Sequence, residues 1–512
     1  MATVKIDTFH GIAPRIHPSL LADGMAVTAH NCRLKTGKLV PLRSPRIVDD
    51  VAILMEKSYI DGRLVTLDDI ADAKTMHFWE KQDGSGEFLL FPGITWMADG
   101  NLADDDRTRV VISGDTGVSW KKAGESKAYE NVPAMYWRNA NGTRRIYSLP
   151  KNAPPPLCVF RAKDRATPPE PLDESKEVRY TYFFLTWVDE FGYESPVSTP
   201  SLAWHAADGT KPEGYAEGDT QYNDGDSITI DWRATGFDWN DEDAYPQLAK
   251  VRIYKVVTGT EEGRIQFIKE FAKEDLPAEP PTESAMWISS FAVKDEDAGE
   301  VMMEIEGMPH DLKCVINVPG GFYAGFSPSK PKTVCFSEVD LLYSWPMAYQ
   351  YDVTDNIVAL AATSNTVFVL TDGWPYILSG TAPESMTVTK LAGPASCVSP
   401  RGVCVYRNAL YYVGQQGLMT IYNSADAGTV CANLTDKIFT KDQWQAFNPS
   451  SCVMGQYDGA LFLFFTLANG GHKALTIDLT EQMDAVTTND EVAKCVCTDN
   501  KTDKMYFVRE GV

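Results

Sequence analysis

Four segments in the second half of the chain repeat one mixture of aromatic and β-branched residues, and this repeat decides the fold. They read NTVFVLTDGWPYIL (Asn365 to Leu378), NALYYVGQQGLMTIY (Asn408 to Tyr422), GALFLFFTLANGGHKALTID (Gly459 to Asp478) and DKMYFVREG (Asp503 to Gly511). Measured between Phe368, Tyr411, Phe462 and Tyr506, the offsets are 43, 51 and 44 residues. A recurrence of about 45 residues is typical of one four-stranded propeller blade. The repeat therefore predicts an all-β fold built on a β-propeller.

A different pattern interrupts the blade-like segments in the middle of the chain. A proline-rich stretch from Asn152 to Asp173 leads into longer strand patterns, such as AKVRIYKVV before the Thr258-Gly259 turn. Spaced strands over roughly 100 residues are typical of an immunoglobulin- or fibronectin-like β-sandwich. From about Asp311 the earlier pattern returns. We therefore expect an N-terminal arm and first blades (1–165), an inserted acidic β-sandwich (166–310) and the remaining blades (311–512). Residues 20–32 are the one modest helix candidate.

The net charge of −23 is concentrated in the middle of the chain. Residues 168–310 hold 31 Asp and Glu against 11 Lys and Arg, whereas the rest of the chain holds 39 and 36. Sequence-specific binding of DNA or RNA is disfavoured because phosphate attraction needs a basic face. The acidic surface, with Asp241, Glu242 and Asp243 as candidate residues, is either an ordinary solvated surface or a wall that nucleic acid slides past.

The cysteines and the apolar runs indicate where the chain folds. Buried, reduced thiols are expected at five positions in or beside apolar strand patterns: Cys397, Cys404, Cys452, Cys495 and Cys497. The sequence has no run of 18 apolar residues and no cationic start followed by an apolar block, so neither a membrane segment nor a secretion signal is expected. We therefore expect folding in the cytosol of the cell that makes the chain.

One turn in the first half matches a known structural pattern. Ser113, Asp115, Gly117 and Trp120 fit the Asp-box pattern S-x-D-x-G-x-T-W, with Ser119 in place of Thr, which resembles the hairpin turns of sialidase-type propellers. The pattern predicts a blade hairpin in which the Asp side chain bonds turn amides and the Trp packs between strands. Its role is therefore expected to be structural.

Catalysis has less support in the sequence. Sialidase-like hydrolysis would need two facing carboxylates, which spacing cannot identify among 70 acidic residues. It would also need an arginine cluster, for which the candidates are Arg107, Arg109, Arg144 and Arg145. We therefore predict no catalytic, cofactor-binding or metal-binding residues, and we expect the protein not to be an enzyme.

Further stretches resemble a family of bacteriophage tail proteins. The N-terminal run carries Phe9, Gly11, Pro14, Arg15, Pro18, Leu20 and Leu21, followed by A-x-N-C-x-L-x-x-G-x-L-x-P-L-R from Ala29 to Arg43. The later stretches similar to the family are TYFFLTWVDEFGYESPVS, CFSEVDLLYSWP, LTDGWPYILSGTAPESM, CVSPRGV, YYVGQQGLMTI and FTKDQW. The resemblance is collinear and covers nearly the whole chain.

This resemblance implies a structural virion protein, the nozzle or hub of a short-tailed phage, made in the cytoplasm of the host bacterium. It implies a closed ring of copies, expected to be a hexamer, with portal and adaptor proteins above it and tail fibres or distal tail proteins below. Phage DNA would be retained and then ejected through the ring without sequence-specific binding. Two alternatives stay open: a tail-associated glycan hydrolase with a sialidase-like propeller, and a receptor-binding or fibre-anchoring tail protein.

Overall fold

The computed structural model describes the chain except for a set of short ranges. These are residues 1–8, 36–37, 47–58, 61–62, 65–72, 81–85, 101–107, 123–124, 126, 139–143, 162–171, 174, 206–213, 258–263, 279–286, 364–365, 394, 425–427, 480–484, 500–501 and 510–512. The regular structure of the described residues is almost entirely β, in agreement with the predicted fold class.

The chain begins with an arm, residues 9–46, which carries the hairpin of β1 (Cys32–Lys35) and β2 (Lys38–Pro41). The next pair is β3 (Tyr59–Ile60) with β4 (Arg63–Leu64). The helix predicted over residues 20–32 is wrong. Only a short 3-10 turn at Pro18–Leu20 is present, because the backbone after it bonds to residues 10–13 of the arm and then to Thr488 instead of forming helical hydrogen bonds.

Two blades follow the arm. Blade 1 is the hairpin of β5 (Thr75–Glu80) and β6 (Gly86–Phe91). Blade 2 is an antiparallel sheet of β7 (Thr95–Asp99), β8 (Thr108–Gly114), β11 (Ala134–Arg138) and β12 (Arg144–Ser148), in that order. Between β8 and β11 the chain forms a separate small hairpin of β9 (Ser119–Lys121) and β10 (Ala128–Glu130).

An inserted module separates blade 2 from blade 3. Its strands are β13 (Cys158–Phe160), β14 (Val178–Thr181), β15 (Phe183–Asp189), β16 (Leu202–His205), β17 (Gly214–Glu217), β18 (Thr220–Asn223), β19 (Ser227–Asp231), β20 (Leu248–Val257), β21 (Arg264–Ala272) and β22 (Ile288–Ala292), with helix α1 (Trp232–Thr235). A five-stranded sheet, β17-β16-β13-β19-β22, and a three-stranded sheet, β15-β20-β21, share one core, while β14 pairs with β18.

The module's first strand lies before the expected boundary at residue 166. β13 pairs with β16 in parallel and with β19 in antiparallel fashion, so strands from both sides of that boundary share a sheet. The shared core is rich in tryptophan, and Trp187 and Trp232 are fully buried in it. The immunoglobulin- or fibronectin-like type of this module stays a prediction.

The remaining blades complete the second half of the chain. Blade 3 is β23 (Lys313–Val318), β24 (Phe322–Ser327), β25 (Lys330–Phe336) and β26 (Gln350–Asp352); blade 4 is β27 (Ile357–Thr363), β28 (Thr366–Thr371), β29 (Tyr376–Ser379) and β30 (Thr387–Lys390). Blade 5 is β31 (Val403–Tyr406), β32 (Ala409–Val413), β33 (Leu418–Ser424) and β34 (Gly428–Asn433). After helix α2 (Lys441–Gln445), blade 6 is β35 (Val453–Tyr457), β36 (Ala460–Thr466), β37 (His472–Asp478) and β38 (Ala485–Asn489), and blade 7 is β39 (Cys495–Asp499) with β40 (Lys504–Val508).

The four repeated segments of the sequence are confirmed as blades. Phe368, Tyr411, Phe462 and Tyr506 each lie in the second strand of their blade. These strands are apolar in successive positions because each blade packs against a neighbour on both faces. In β36, for example, the residues of ALFLFF are all buried, alternately toward blade 5 and toward blade 7.

The described blades form a closed ring of seven. Neighbouring blades contact each other through their first strands, from β7 through β23, β27, β31, β35 and β39 to β5. The ring closes where blade 7 packs face to face on blade 1: Cys495 and Tyr506 share a core layer with Met76 and Phe88. The Tyr506 ring centroid lies 4.8 Å from that of Phe88. Closure therefore uses two hairpins in contact rather than one blade shared between the chain ends.

The arm lies on blade 6, although blade 1 follows it in sequence. Asn31 N–H donates to Thr488 O (2.8 Å) and Thr488 N–H donates to Ala29 O (2.9 Å), which adds the arm in parallel to the outer strand β38. Gly11 has φ +90°, and a Cβ there would lie 2.7 Å from Val486 N, so only glycine fits this close approach. The arm therefore covers the outer edge of blade 6.

Candidate functional site

No metal centre or reactive thiol stands out in the described part of the chain. It holds no group of three or more His, Cys, Asp or Glu side chains that could bind a metal ion. All ten cysteines are free. Burial raises the pKa of Cys397 and of Cys495 to about 12, which keeps these thiols protonated and unreactive at neutral pH. The prediction of buried thiols is confirmed for Cys397, Cys452 and Cys495 and is wrong for Cys404 and Cys497, which are half-buried.

The Asp-box residues join blade 2 to its neighbours. Ser113 Oγ accepts from the Val315 amide of blade 3 (2.9 Å). Asp115 Oδ2 accepts from the Ile94 amide (3.0 Å), in the turn that leads into β7. Asp115 Oδ1 lies 3.3 Å from Lys313 Nζ. The Asp therefore bonds a turn amide as predicted, but the turn is one from another part of the blade.

The placement of the predicted Asp-box hairpin differs from expectation. β8 ends at Gly114, and the chain then enters the separate hairpin β9–β10 instead of returning along β8. Gly117 has φ +71°, and its amide donates to Asn131 Oδ1 (3.0 Å). Trp120 is buried, with its ring centroid 6.1 Å from that of His310. These contacts place the segment beside His310, where the chain returns from the inserted module, and its purely structural role stays a prediction.

The strongest concentration of unusual contacts is the junction between the ring and the inserted module. Its centre is the junction loop, residues 189–195, which follows β15. Asp189 Oδ1 accepts from the amides of Phe191 and Tyr193 (both 2.9 Å), and Gly192 has φ +86°. An aspartate that bonds amides two residues on, followed by a left-handed glycine, makes a tight turn. The turn presents the two aromatic rings on the same side, toward the propeller.

The two rings of the junction loop enter the layer between blades 2 and 3. The Phe191 ring stacks on Tyr147 (5.2 Å between centroids) and meets Trp137 edge-on (5.4 Å), both on blade 2. The Tyr193 ring lies 4.7 Å from that of Tyr343, in the loop that follows β25 of blade 3. Aromatic pairs at these separations contribute about 0.5–1.5 kcal/mol each beyond area burial. The module is therefore fixed to two blades at once.

A buried ion pair completes the junction. Lys151 Nζ, at the exit from blade 2, lies 2.8 Å from Asp189 Oδ2, and the two side chains are 6% and 0% exposed. Lys151 Nζ also lies 4.1 Å from the centroid of the Trp187 ring. Desolvation lowers the pKa of Lys151, against the opposing attraction of Asp189. The Asn152 side chain donates from Nδ2 to Lys121 O and to Ala244 O, so it links propeller and module by two further hydrogen bonds.

Arg109, a candidate for substrate binding in the hydrolase alternative, belongs to this junction. It is 3% exposed, and its guanidinium lies 5.4 Å from the Phe191 ring centroid and 5.0 Å from that of Tyr193. Arg107 and the side chains of Arg144 and Arg145 lie outside the described residues. The described arginine is thus packed against aromatic rings and does not face an open pocket.

The chain returns from the module to blade 3 along a second line of contacts. Trp345 N–H donates to Glu306 O (2.7 Å), and Met347 N–H donates to Glu306 Oε2 (2.8 Å). Ile305 and Met308 are buried in the same core layer as Tyr193. The chain passes between ring and module twice, and both connecting segments are packed and hydrogen-bonded. The module is therefore attached to the ring at both of its ends.

The predicted acidic residues lie on an exposed loop of the module. Asp241, Glu242 and Asp243 are all exposed, in the segment between α1 and β20. Buried Trp239 and Tyr245 hold the two ends of this loop in the module's core. Asp241 Oδ1 accepts from the amides of Asp243 and Ala244, so this carboxylate also closes the turn. The side chains of Glu242 and Asp243 are exposed, and no structural role is described for them.

Arg401, in the CVSPRGV stretch, forms hydrogen bonds where blades 1 and 7 close the ring. Its Nη1 donates to Lys74 O (3.0 Å) and Lys494 O (3.2 Å), the residues that precede the inner strands of blades 1 and 7. Its own carbonyl accepts from the Met454 amide of blade 6. One residue at the entrance to blade 5 therefore joins the inner ends of three other blades. Sequence reasoning missed this role, since a lone arginine in a turn carries no signal of partners so distant.

Comparisons with known proteins find only distant similarities. No family model and no curated protein matches the chain. Similar solved structures include AztD from Citrobacter koseri (12% identity, 65% of this chain and 77% of that one, TM-score 0.28) and the WD40 domain of Toxoplasma gondii coronin (9%, 51% and 64%, 0.26). Hsv2 from Kluyveromyces lactis is similar over 46% of this chain and 57% of its own (10%, 0.23). None of the described helices is long and apolar enough to cross a membrane. The order of its sheets and the contacts between its blades make the chain a β-propeller protein.

Proposed function

We propose that the chain is a structural, non-enzymatic protein of a bacteriophage tail. It acts as the nozzle or hub of a short tail, where copies form a ring around the DNA path. This ring connects the portal and adaptor to the distal tail, retains the packaged DNA and lets it leave on infection.

One observation carries the proposal: several of the stretches that resemble the tail family hold contacts that join the parts of this molecule. The N-terminal run supplies the contact of Gly11 with Val486, and TYFFLTWVDEFGYESPVS supplies the junction loop. CFSEVDLLYSWP supplies the buried Trp345, and CVSPRGV supplies Arg401. Contacts of this kind within the resembling stretches support a rigid scaffold, because a scaffold has to keep its shape under load.

The contacts of another resembling stretch, FTKDQW, also support a rigid scaffold. In FTKDQW, Thr440 and Gln443 form a capping box at the start of α2, and buried Trp444 donates from Nε1 to Gly414 O (2.9 Å). Gln443 Nε2 also donates to Pro14 O, which holds the arm against this helix. The stretch thus joins arm, helix and blade 5.

The charge distribution suits a protein beside a DNA path. The acidic residues concentrate in the module, so phosphates that approach it are repelled rather than captured. Arg401 binds the carbonyls of Lys74 and Lys494, which precede the first strands of blades 1 and 7. The DNA path of the proposal runs between the copies of the ring.

Electron cryomicroscopy of purified virions of the source phage tests the proposal. We expect the propeller in a closed ring below the portal, in six copies. Density for three copies at the end of a fibre would instead support the fibre-anchoring alternative. Virions that lack the protein altogether would overturn the proposal.

The position of the acidic loop is tested by charge reversal. We expect Glu242→Lys with Asp243→Lys to slow genome ejection if the loop faces the DNA, because two repulsive charges become attractive. Asp241 is left in place, since its carboxylate closes the turn. The control is Lys for Asn240, an exposed neutral residue of the same loop. Normal ejection by the double variant would place the loop away from the DNA path.

A further inference from the structure

The arm exposes large apolar residues although it is bound to blade 6. Leu20 is 74% exposed and Val27 is 46% exposed, on the outer side of the arm. Arg43 and Arg46, also exposed, lie where the arm ends. Residues 9–46 as a whole hold six Lys and Arg against a single acidic residue, Asp23. The arm therefore exposes an arm face of Leu20, Val27, Arg43 and Arg46, apolar and basic side chains of the kind that protein–protein contacts use.

A second surface has the opposite charge. The return flank is formed by the segment that comes back from the module and by the loop after β25. Met347 is 67% exposed and Met303 is 57% exposed. Glu300 and Glu304 are exposed on either side of Met303. The two parts of the flank are joined through Glu306, whose carboxylate accepts from the Met347 amide. The return flank is therefore apolar at its centre and acidic around it.

The two surfaces lie on opposite sides of the ring. The arm covers the outer strand of blade 6, whereas the return flank packs on blades 2 and 3. In the described ring, two blades separate blade 6 from blade 3 in one direction and from blade 2 in the other. Opposed, complementary patches cannot satisfy each other within one molecule, but they can do so between neighbouring copies.

We propose that the arm face of one copy binds the return flank of the next. This head-to-tail contact rests on the proposed function and names its partner, a second copy of this chain. Leu20 packs against the methionines, whose unbranched side chains adapt to an apolar neighbour. The arginines at the end of the arm face Glu300 and Glu304 and set the orientation. Such a contact is heterologous, so it generates a ring when its rotation closes.

Two variants with single changes on opposite surfaces test the contact. Leu20→Asp puts an acid on the arm face, and Met303→Lys puts a base on the return flank. We expect each variant alone to be monomeric by native mass spectrometry and light scattering, with self-association weakened at least tenfold. An equimolar mixture keeps one intact arm face and one intact return flank, so it should form one-to-one pairs and nothing larger.

The controls separate this effect from misfolding and from charge in general. Both substituted residues are highly exposed, so circular dichroism and thermal unfolding should stay as in the wild type. Thr389, exposed on the outer strand of blade 4, takes the same two substitutions, Thr389→Asp and Thr389→Lys, which should leave assembly unchanged. Higher salt should weaken wild-type assembly, because exposed opposite charges are screened.

The possible failures are distinguishable. A wild-type protein that stays monomeric at high concentration overturns the inference, as does a Leu20→Asp or Met303→Lys variant that assembles normally. Variants that are both monomeric but do not pair in the mixture also overturn it, because a heterologous contact requires that pairing. In each of these cases a virion ring of this protein would leave the proposed function standing, whereas its absence from virions would remove that function whatever the mixture does.

Discussion

Replacing Lys151 by Met should loosen the junction between ring and module. The change leaves the Asp189 carboxylate, whose side chain is 0% exposed, without its cation. Removing one partner of a buried pair costs about 3–5 kcal/mol. Asp189 Oδ1 keeps its two amide donors, so we expect the lower end, about 3 kcal/mol. Since about 1.4 kcal/mol is a factor of ten, the junction loop should open about 100-fold more often.

Hydrogen exchange measured by mass spectrometry reports on this opening. The amides of Phe191 and Tyr193 are protected by Asp189 and lie in one short peptide, so their exchange follows local opening. Global unfolding is a less direct measure, because a chain with several structural units is not expected to unfold in one step. Exchange in residues 189–195 should accelerate about 100-fold, and blades 4 and 5 should keep their wild-type rates.

Two further variants make this prediction sharp. As a control, Lys122→Met removes an exposed ion pair with Glu125 (3.3 Å). Hydrogen exchange in residues 189–195 should change by less than about threefold, since surface ion pairs contribute little to stability. Lys151→Met combined with Asp189→Asn removes both charges and should recover part of the loss. An exchange rate at residues 189–195 within about threefold of wild type in Lys151→Met would refute the assigned role of the ion pair.

The remaining predictions concern the ring. Arg401→Ala removes two hydrogen bonds at the closure and should weaken blade 7 by about 2–3 kcal/mol; hydrogen exchange in residues 495–508 checks this, and unchanged exchange there would contradict it. Burial lowers the pKa of His77 to about 4, so between pH 6.5 and 4 the unfolded chain binds more protons and stability falls with falling pH, by at most about 3 kcal/mol. In His77→Gln the melting temperature should depend less on pH between 6.5 and 4 than in the wild type. An unchanged pH dependence would assign the acid sensitivity to other groups. Gly455→Ala would place a Cβ 2.4 Å from Val496 Cγ1 and should cost about 1–3 kcal/mol; a melting temperature equal to that of the wild type would show that blades 6 and 7 can move apart.

The blades are readable from sequence because their physics is local. A strand packed on both faces has to be apolar in consecutive positions, and the ALFLFF run of β36 shows this directly. The spacing between such strands then follows from the size of one blade. The same local logic identifies the strands of the module, although it does not reveal that Lys255 faces the module's interior, where it lies 3.1 Å from Tyr222 OH.

The contacts that join one blade to another, or the module to the ring, cannot be predicted from sequence in this way. Phe191 and Tyr193 lie in a turn, where aromatic residues suggest a surface, and their partners Trp137 and Tyr343 belong to other blades. The partners of Arg401 lie 327 and 93 residues away along the chain. Asp115 shows the intermediate case: its type of bond is predictable from the Asp-box pattern, but its partner, Ile94, is not. Long-range contacts depend on how blades are placed, which no local pattern encodes.

The parallel attachment of the arm determines how the ring would carry tension. The hydrogen bonds of Ala29 and Asn31 to Thr488 run across the direction of the arm. A pull along the arm therefore strains them together in shear, whereas a pull away from blade 6 would break them one after another. Because Arg33 anchors the same arm to Asp458 at 3.0 Å, in the turn between β35 and β36, the load is shared between the outer strand and the inner hairpin of one blade. A neighbouring copy that pulls along the arm would thus load blade 6 as a whole instead of separating the arm from its outer strand.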